Sequence, residues 1–363
     1  MQKLPEFGEQ LPIGKAKLEF LVNEQGMISM RMSGSGFMAM YQIAVAYPSG
    51  IPLAVVPFTG IGAPLPPYPK PSLLAWIMSD ELGMWGRICP FCRTYFRSNH
   101  IMDATICPYC GSLSDSLQFI TEAQGRYVAA FCNAYIEAGQ KKSSITIDLE
   151  TVTDSKPEWK YAEERQQFHF KCLNCDTETD ILGEYGWCPK CGKTNAREII
   201  NAKLKQLEEG FDKADKAIAD KAERGQQWEE INSKCFSGFE ALGRHLQTIL
   251  AKLPATPSRK KEVEGLSFQR LLEAAECLKQ WYGVDIFKNV SPDDQGFLNL
   301  MLNQRHIIEH NGGKVDQKYL NQSGDKKARL NERISIGSNR IRHLLPVMCA
   351  ISTNLLDGFE SLK

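Results

Sequence analysis

The sequence predicts a multidomain α+β protein with a β-rich N-terminal domain, two four-cysteine zinc ribbons and a C-terminal all-α helical bundle. Three observations carry this reading. Before position 84 the apolar residues tend to alternate with polar ones, the period of strands. Eight of the twelve cysteines fall into four Cys-x-x-Cys pairs. From about Ala196 the apolar spacing becomes three and four, the period of helices, and stays so. The expected domains are 1–84, β-rich; 85–195, the two ribbons with an intervening helix and strand; and 196–363, the bundle.

With 363 residues and 43% hydrophobic content, the chain can build two or three cored domains. Its formal net charge is zero, so a nucleic-acid site must be a local patch and not a global field. Lys326, Lys327, Arg329, Arg333, Arg340 and Arg342 offer one such patch, facing only Glu332 in that stretch; a solvated helix face is the alternative. The stretch Met1 to Phe7 lacks the apolar run behind a basic start that a signal peptide needs. No window holds the 18 apolar residues of a membrane span. The expected location is therefore cytoplasmic, where paired cysteines mean metal and not disulfides.

In chain order, Leu18, Phe20 and Val22 alternate with polar neighbours, as do Ile28, Met30 and Met32, with Asn23 to Gly26 as a hairpin turn. Ile43 to Tyr47 and Leu53 to Phe58 read as further strands. The five methionines between Met27 and Met40 read as adaptable core filler. Pro64, Pro66, Pro67, Pro69 and Pro71 make a stiff extended crossing, and Ser72 to Trp85 a short helix leading to the first metal site. That site is Cys89-Pro90-Phe91-Cys92 with Cys107-Pro108-Tyr109-Cys110-Gly111, two turns that a hairpin closes into a tetrahedral cage. Thr121 to Ala138 has the spacing of an amphipathic helix, with Cys132 a core thiol in its stripe, and Ile145 to Leu149 alternates as a strand. Cys172, Cys175, Cys188 and Cys191 repeat the cage. Two structural Zn2+ ions are thus the expected cofactors. Phe168, Phe170, Tyr185 and Trp187 can cap the small second ribbon or stack on bases; capping is favoured because a ribbon has almost no core of its own.

Ile199, Ile200, Leu204, Leu207 and Phe211 begin the helical region, and Trp228 to Leu250 continues it until Leu253-Pro254-Ala255-Thr256-Pro257. A second helix covers Leu266 to Trp281, with Cys277 on or near its apolar face. Ser291-Pro292-Asp293-Asp294 is a helix start, with a serine cap, proline in the first turn and acids facing the dipole. That helix runs to His310, where Gly312-Gly313 supplies the left-handed stop. Gly324 to Glu332 reads as a mobile loop, and Ser338 to Leu356 as the last helix, past Pro346.

Arg305-His306-Ile307-Ile308-Glu309-His310-Asn311 holds the densest chemistry in the chain. One reading is a polar helix end with Arg305 and Glu309 paired at i,i+4. Another is the H-x-x-E-H zinc-protease pattern, with His306 and His310 as ligands and Glu309 as base. In a third, Arg305, His306, His310, Asn311 and Gly313, followed by Val315-Asp316 and Tyr319-Leu320, closely resemble the motif of the HEPN superfamily. This resemblance covers roughly the last 160 residues.

The resemblance implies a HEPN-like helical bundle and a metal-independent endoribonuclease. RNA would be cut by its own 2′-hydroxyl, leaving a cyclic phosphate. In that chemistry His310 is the general base and Arg305 the phosphate clamp, with His306 and Asn311 orienting or hydrogen bonding. On a regular helix Arg305 and His310 stand about 140° apart. This and the family's habit point to a homodimer through the bundle. The expected partners are an RNA substrate and a second copy, with a protein or ligand trigger at the N-terminal domain and no membrane. The reading is of a toxin or defence effector with zinc-ribbon recognition modules. The alternative is a non-catalytic nucleic-acid or protein-binding adaptor dimerised by an inert bundle.

Overall fold

The computed structural model describes residues 16–34, 41–57, 68–79, 82–100, 104–148, 152, 167–253 and 255–362. The chain divides into two compact units, Met1–Asn195 and Ala196–Lys363. No helix among the described residues is long and apolar enough to cross a membrane.

In the first unit β1 (Ala16–Val22) and β2 (Ile28–Gly34) form an antiparallel hairpin. Its turn is held by Asn23, whose side-chain oxygen accepts from the amides of Gln25 and Met27, and by Gly26 at φ 77°. A second sheet centres on β3 (Tyr41–Ala46), between β4 (Pro52–Pro57) and β5 (Leu73–Met78). The helix expected over Ser72 to Trp85 is therefore replaced by strand β5, which pairs antiparallel with β3, and by β6 (Trp85–Ile88). The reason lies in length: Leu73 to Met78 is a six-residue apolar run, too short for a buried helix and right for a strand. Pro64, Pro66 and Pro67 lie outside the described residues.

The helix α1 (Glu122–Lys141) starts at a capping box, in which Thr121 accepts from Gln124 N and the Gln124 side chain accepts from Thr121 N. Its buried face (Tyr127, Val128, Phe131, Cys132) joins Leu18, Phe20, Ala44, Ala75, Ile77, Trp85 and Ile147 in one core. The segment read as lying between the ribbons thus packs on the N-terminal strands. Its strand β10 (Ile145–Asp148) adds to β1, giving the order β10-β1-β2. Burial pushes the Cys132 thiol up to about 11, as befits a core thiol. The methionines depart from the core-filler reading: Met27 is 61% exposed and Met30 37%. Met27 sits in the hairpin turn and Met30 on β2, at the end of the described order β10-β1-β2, and Met32 packs on the core from its margin. Met38 and Met40 lie outside the described residues.

The cysteine-bearing strands form a single four-stranded sheet. β6 and β7 (Tyr95–Ser98) make one hairpin and β11 (Gln167–Lys171) with β12 (Glu178–Leu182) the other, in the order β11-β12-β7-β6. Between them β8 (Ala104–Ile106) and β9 (Leu113–Asp115) pair around the second Cys-x-x-Cys turn.

The second unit holds α2 (Ala196–Ala217), α3 (Lys221–Leu250), α4 (Pro257–Glu264), α5 (Leu271–Tyr282), α6 (Pro292–Asn311), α7 (Gln317–Ser323) and α8 (Ser338–Glu360). Asp220 caps α3 through Glu223 N, which breaks the first helical stretch in two. Thr256-Pro257, read as part of a break, is instead the cap and first turn of α4, so the helix expected from Leu266 begins only at Leu271. Gly324 to Glu332 is not a free loop. Val315 N donates to Glu332 O, Asn331 N to Val315 O and Ile334 N to Gly313 O, closing it onto the end of α6. Lys326, Lys327, Arg329 and Arg333 are exposed there, whereas Arg342 lies over the Phe211 ring and pairs with Asp215.

The packing of α3 makes a paired test. A Cβ on Gly243 would stand 2.3 Å from the buried Phe268 ring, whereas one on Gly225 would meet nothing within 4 Å. Gly243→Ala should destabilise by about 1–3 kcal/mol through overpacking, and Gly225→Ala should stabilise by about 0.5–1 kcal/mol through helix propensity, both read from denaturant midpoints.

Candidate metal centres and candidate active site

All four Cys-x-x-Cys turns share one backbone design. The amide of each first cysteine donates to the carbonyl five residues on: Cys89 to Thr94 (3.1 Å), Cys107 to Ser112 (2.9 Å), Cys172 to Thr177 (2.9 Å) and Cys188 to Lys193 (2.7 Å). Its carbonyl accepts from the amide four residues on, in Arg93, Gly111, Asp176 and Gly192. Those four residues have φ of 60°, 65°, 57° and 69°, a left-handed conformation that glycine takes freely and arginine or aspartate takes at a cost.

The turns gather the thiols into two groups, Cys89, Cys92, Cys107, Cys110 and Cys172, Cys175, Cys188, Cys191, with the sulfurs of each group within 4.8 Å of one another. Closest Sγ separations are 3.7 Å (Cys89 to Cys110), 3.6 Å (Cys92 to Cys107), 3.6 Å (Cys172 to Cys191) and 3.5 Å (Cys175 to Cys188). Bonds of about 2.3 Å to a tetrahedral zinc place sulfurs about 3.8 Å apart, whereas a disulfide needs about 2.05 Å. The geometry and the all-thiol donor set fit zinc, so both clusters can hold such an ion.

The two ribbons are related by a local two-fold axis. β7 and β12 hold the same place in their ribbons and pair antiparallel, with Arg97 opposite Asp180. Both residues stand eight positions after the first cysteine of their ribbon, so the axis passes through this pair. It passes again between Cys107 and Cys188, where Ile106 N donates to Pro189 O and Trp187 N to Pro108 O, both at 2.9 Å. Arg97 and Asp180 are wholly buried. The duplicated frame thus sets opposite charges across neighbouring strands where like charges would repel. The Tyr109 hydroxyl donates to Tyr95 O and accepts from Leu182 N, tying one ribbon to the other. Cys89, Phe96, Cys107, Phe119, Phe170 and Ile181 then form one shared core. Phe170 and Trp187 are buried and Phe168 packs beside Phe170, so these aromatics serve as ribbon caps.

In the second unit the arginine and histidines sit on the last two turns of α6. Ser291 caps its start and Gly312, at φ 57°, its end. Leu298, Met301, Gln304 and Ile307 are buried, which leaves Arg305 at the margin of that face, against α3. Arg305 Nε donates to Glu309 Oε1 (3.0 Å), Nη1 to Glu240 Oε1 and Nη2 to Ser237 Oγ (3.2 Å). Ser233 Oγ also donates to Glu309. Burial alone would lower the Arg305 pKa, but Glu240 and Glu309 outweigh it and hold it above its ordinary value. Burial would likewise raise the Glu309 carboxyl, yet hydrogen bonds from Ser233 and Arg305 hold it below the usual carboxylate range.

The His306 and His310 rings lie 4.7 Å apart. Desolvation and the neighbouring His310 pull the His306 pKa below its ordinary value. Arg305, His306 and His310 line one cleft of about 290 Å³ together with Glu240, Arg270 and Lys318. The helix stays regular to Asn311, and the long Arg305 side chain reaches the same cleft as His310, so their angular separation does not by itself require a second subunit. Asn311 is not part of that lining; its amide donates to Lys314 O and fixes the turn after the helix. The metal-capable groups of three or more side chains among the described residues are the two cysteine clusters. The H-x-x-E-H set therefore does not assemble as a zinc site.

Sequence reading missed Ser233, Ser237 and Glu240, which approach from α3. Glu240 carried a signal: it lies in the stripe of Phe236, Phe239 and Gly243, and a carboxylate 5% exposed in a buried stripe demands a cation. No protein-family model, no curated protein and no solved structure matches the chain.

Because the ribbons share a sheet and a core, Cys188→Ser should release both metals. Zinc content should fall from about two per chain towards zero, measured on protein purified without added metal; retention of one ion would show independent ribbons. Arg93→Gly should be neutral or stabilise by up to about 1 kcal/mol, and Gly111→Ala should destabilise by a similar amount, both read from thermal midpoints.

Proposed function

We propose that the C-terminal unit is a metal-independent endoribonuclease of the HEPN type and that the N-terminal unit, with its two zinc ions, recognises the RNA or a regulatory partner. The observation that carries this reading is the convergence of Arg305, His306 and His310 on one cleft. His310 removes the proton of a ribose 2′-hydroxyl, and the freed oxygen attacks the adjacent phosphorus. The bond to the 5′-oxygen breaks, and that oxygen takes a proton back from the imidazole pair. The products are a 2′,3′-cyclic phosphate and a 5′-hydroxyl. The His306 ring stands beside His310 in the same cleft, so the two imidazoles can divide the roles of base and acid. Arg305 has five N–H donors, of which its partners take three; the remaining two can meet the phosphate. Two such units form a homodimer through the bundle, presenting two clefts to one RNA.

A second reading rests on a different observation: Arg305 already faces two carboxylates, the same kind of partner a phosphate would be. Under it the bundle is inert, and the chain is a zinc-bearing adaptor for nucleic acid or protein.

On total RNA in divalent-free buffer, His310→Ala and Arg305→Lys should each lower cleavage by about 10²-fold or more with unchanged circular dichroism. Lysine keeps the charge beside Glu240 but loses the fork. Equal activity in wild type and both variants would remove the proposal, and absence of cleavage by wild type would favour the adaptor.

A further inference from the structure

We propose that Glu309 sets substrate affinity at this cleft: in the free protein its carboxylate occupies the Nε edge of Arg305, and an RNA phosphodiester binds by displacing it. This deepens the nuclease reading and rests on it for the identity of the ligand.

The two acids on Arg305 are not equivalent. The Glu240 side chain is 7% exposed and comes from α3, whereas the Glu309 side chain is 33% exposed and lies one turn along the same helix as Arg305. An exposed i,i+4 pair contributes little, so a phosphate can replace it at little cost. Removing a buried partner leaves an uncompensated charge and costs far more. Glu240 therefore stays and aims the guanidinium, and Glu309 yields. Ser233 Oγ donates to the same Glu309 Oε1 that accepts from Arg305 Nε, so in the free protein it helps to hold the carboxylate at the edge of the arginine. With both carboxylates present the cluster of Arg305, Glu240 and Glu309 carries one net negative charge; without Glu309 it is neutral. The cleft then presents Lys318, Arg270 and the imidazoles to an anion with less opposition. Glu309 is accordingly a positioning residue that competes with substrate.

The test uses the full chain and two readouts. Binding is followed by fluorescence anisotropy of a short labelled RNA whose riboses are 2′-O-methylated, so that it cannot be cut. Cleavage kinetics are followed on the unmodified RNA. Glu309→Gln keeps the size of the side chain and its contact with Ser233, and should tighten Kd by about twofold, the equivalent of one exposed i,i+4 ion pair. KM should fall in parallel, with kcat within about twofold of wild type. Ser233→Ala, which removes a bond that holds the competing carboxylate at the arginine, should tighten Kd by about twofold and provides a second measurement if the first variant folds poorly. Glu240→Gln should weaken binding, because it loosens the guanidinium. Tighter binding by Glu309→Gln without any cleavage by wild type would sustain the competitor and reject the nuclease. Cleavage by wild type with Kd unchanged or weaker in Glu309→Gln would sustain the nuclease and overturn the competitor.

Discussion

A cluster of four cysteines from two short turns is too small to enclose a core, and this constraint organises the first unit. Each hairpin offers one sheet face and a few aromatic side chains, and neither can shield its own sulfurs. Joining them edge to edge through β7 and β12 solves the problem for both, since Cys89 and Cys107 from one ribbon become buried in the same cluster as Phe170 and Ile181 from the other. The cost is a buried arginine and a buried aspartate at the meeting point, set opposite each other in the strand register, with Gln167 donating to the aspartate. Two stretches far apart in sequence are thereby made into one folding problem.

The second unit has a different economy, centred on the joint between α3 and α6. Arg305 neutralises Glu240 inside the bundle and also lines a cleft that holds two imidazoles. Its partners engage three of the five donors of one planar group, so the fork matters here and not the charge alone. An arginine at this position could therefore persist for packing reasons even in a bundle without catalysis, so the motif by itself is a weaker indicator of chemistry than the geometry around it.

Much of the layout was readable because it is local. The hairpin at Asn23 to Gly26, the cap at Ser291-Pro292 and the stop at Gly312-Gly313 are written in neighbouring residues, and so are the cysteine spacings. The errors have a common origin in tertiary context. Leu73 to Met78 carries no period that separates a short helix from a buried strand; pairing with β3 decides it. Met27 and Met30 look like core residues until β2 proves to end the described strand order. Ser233 and Glu240 lie 76 and 65 positions before the residues they touch, and nothing local joins them. Asn311 stands beside His310 in the sequence, yet its amide closes a turn.

The sharing of one sheet by the two ribbons also has a consequence in time. Ser98 and Glu178, which meet across β7 and β12, are 80 positions apart, so at roughly 5–20 residues per second the ribosome needs on the order of 4–16 s to deliver the second hairpin after the first. Throughout that interval the nascent first ribbon has an unpaired strand edge and thiols whose cover has not been made. It is the moment at which the chain is most open to oxidation, to capture of the wrong metal and to pairing with a neighbouring nascent chain.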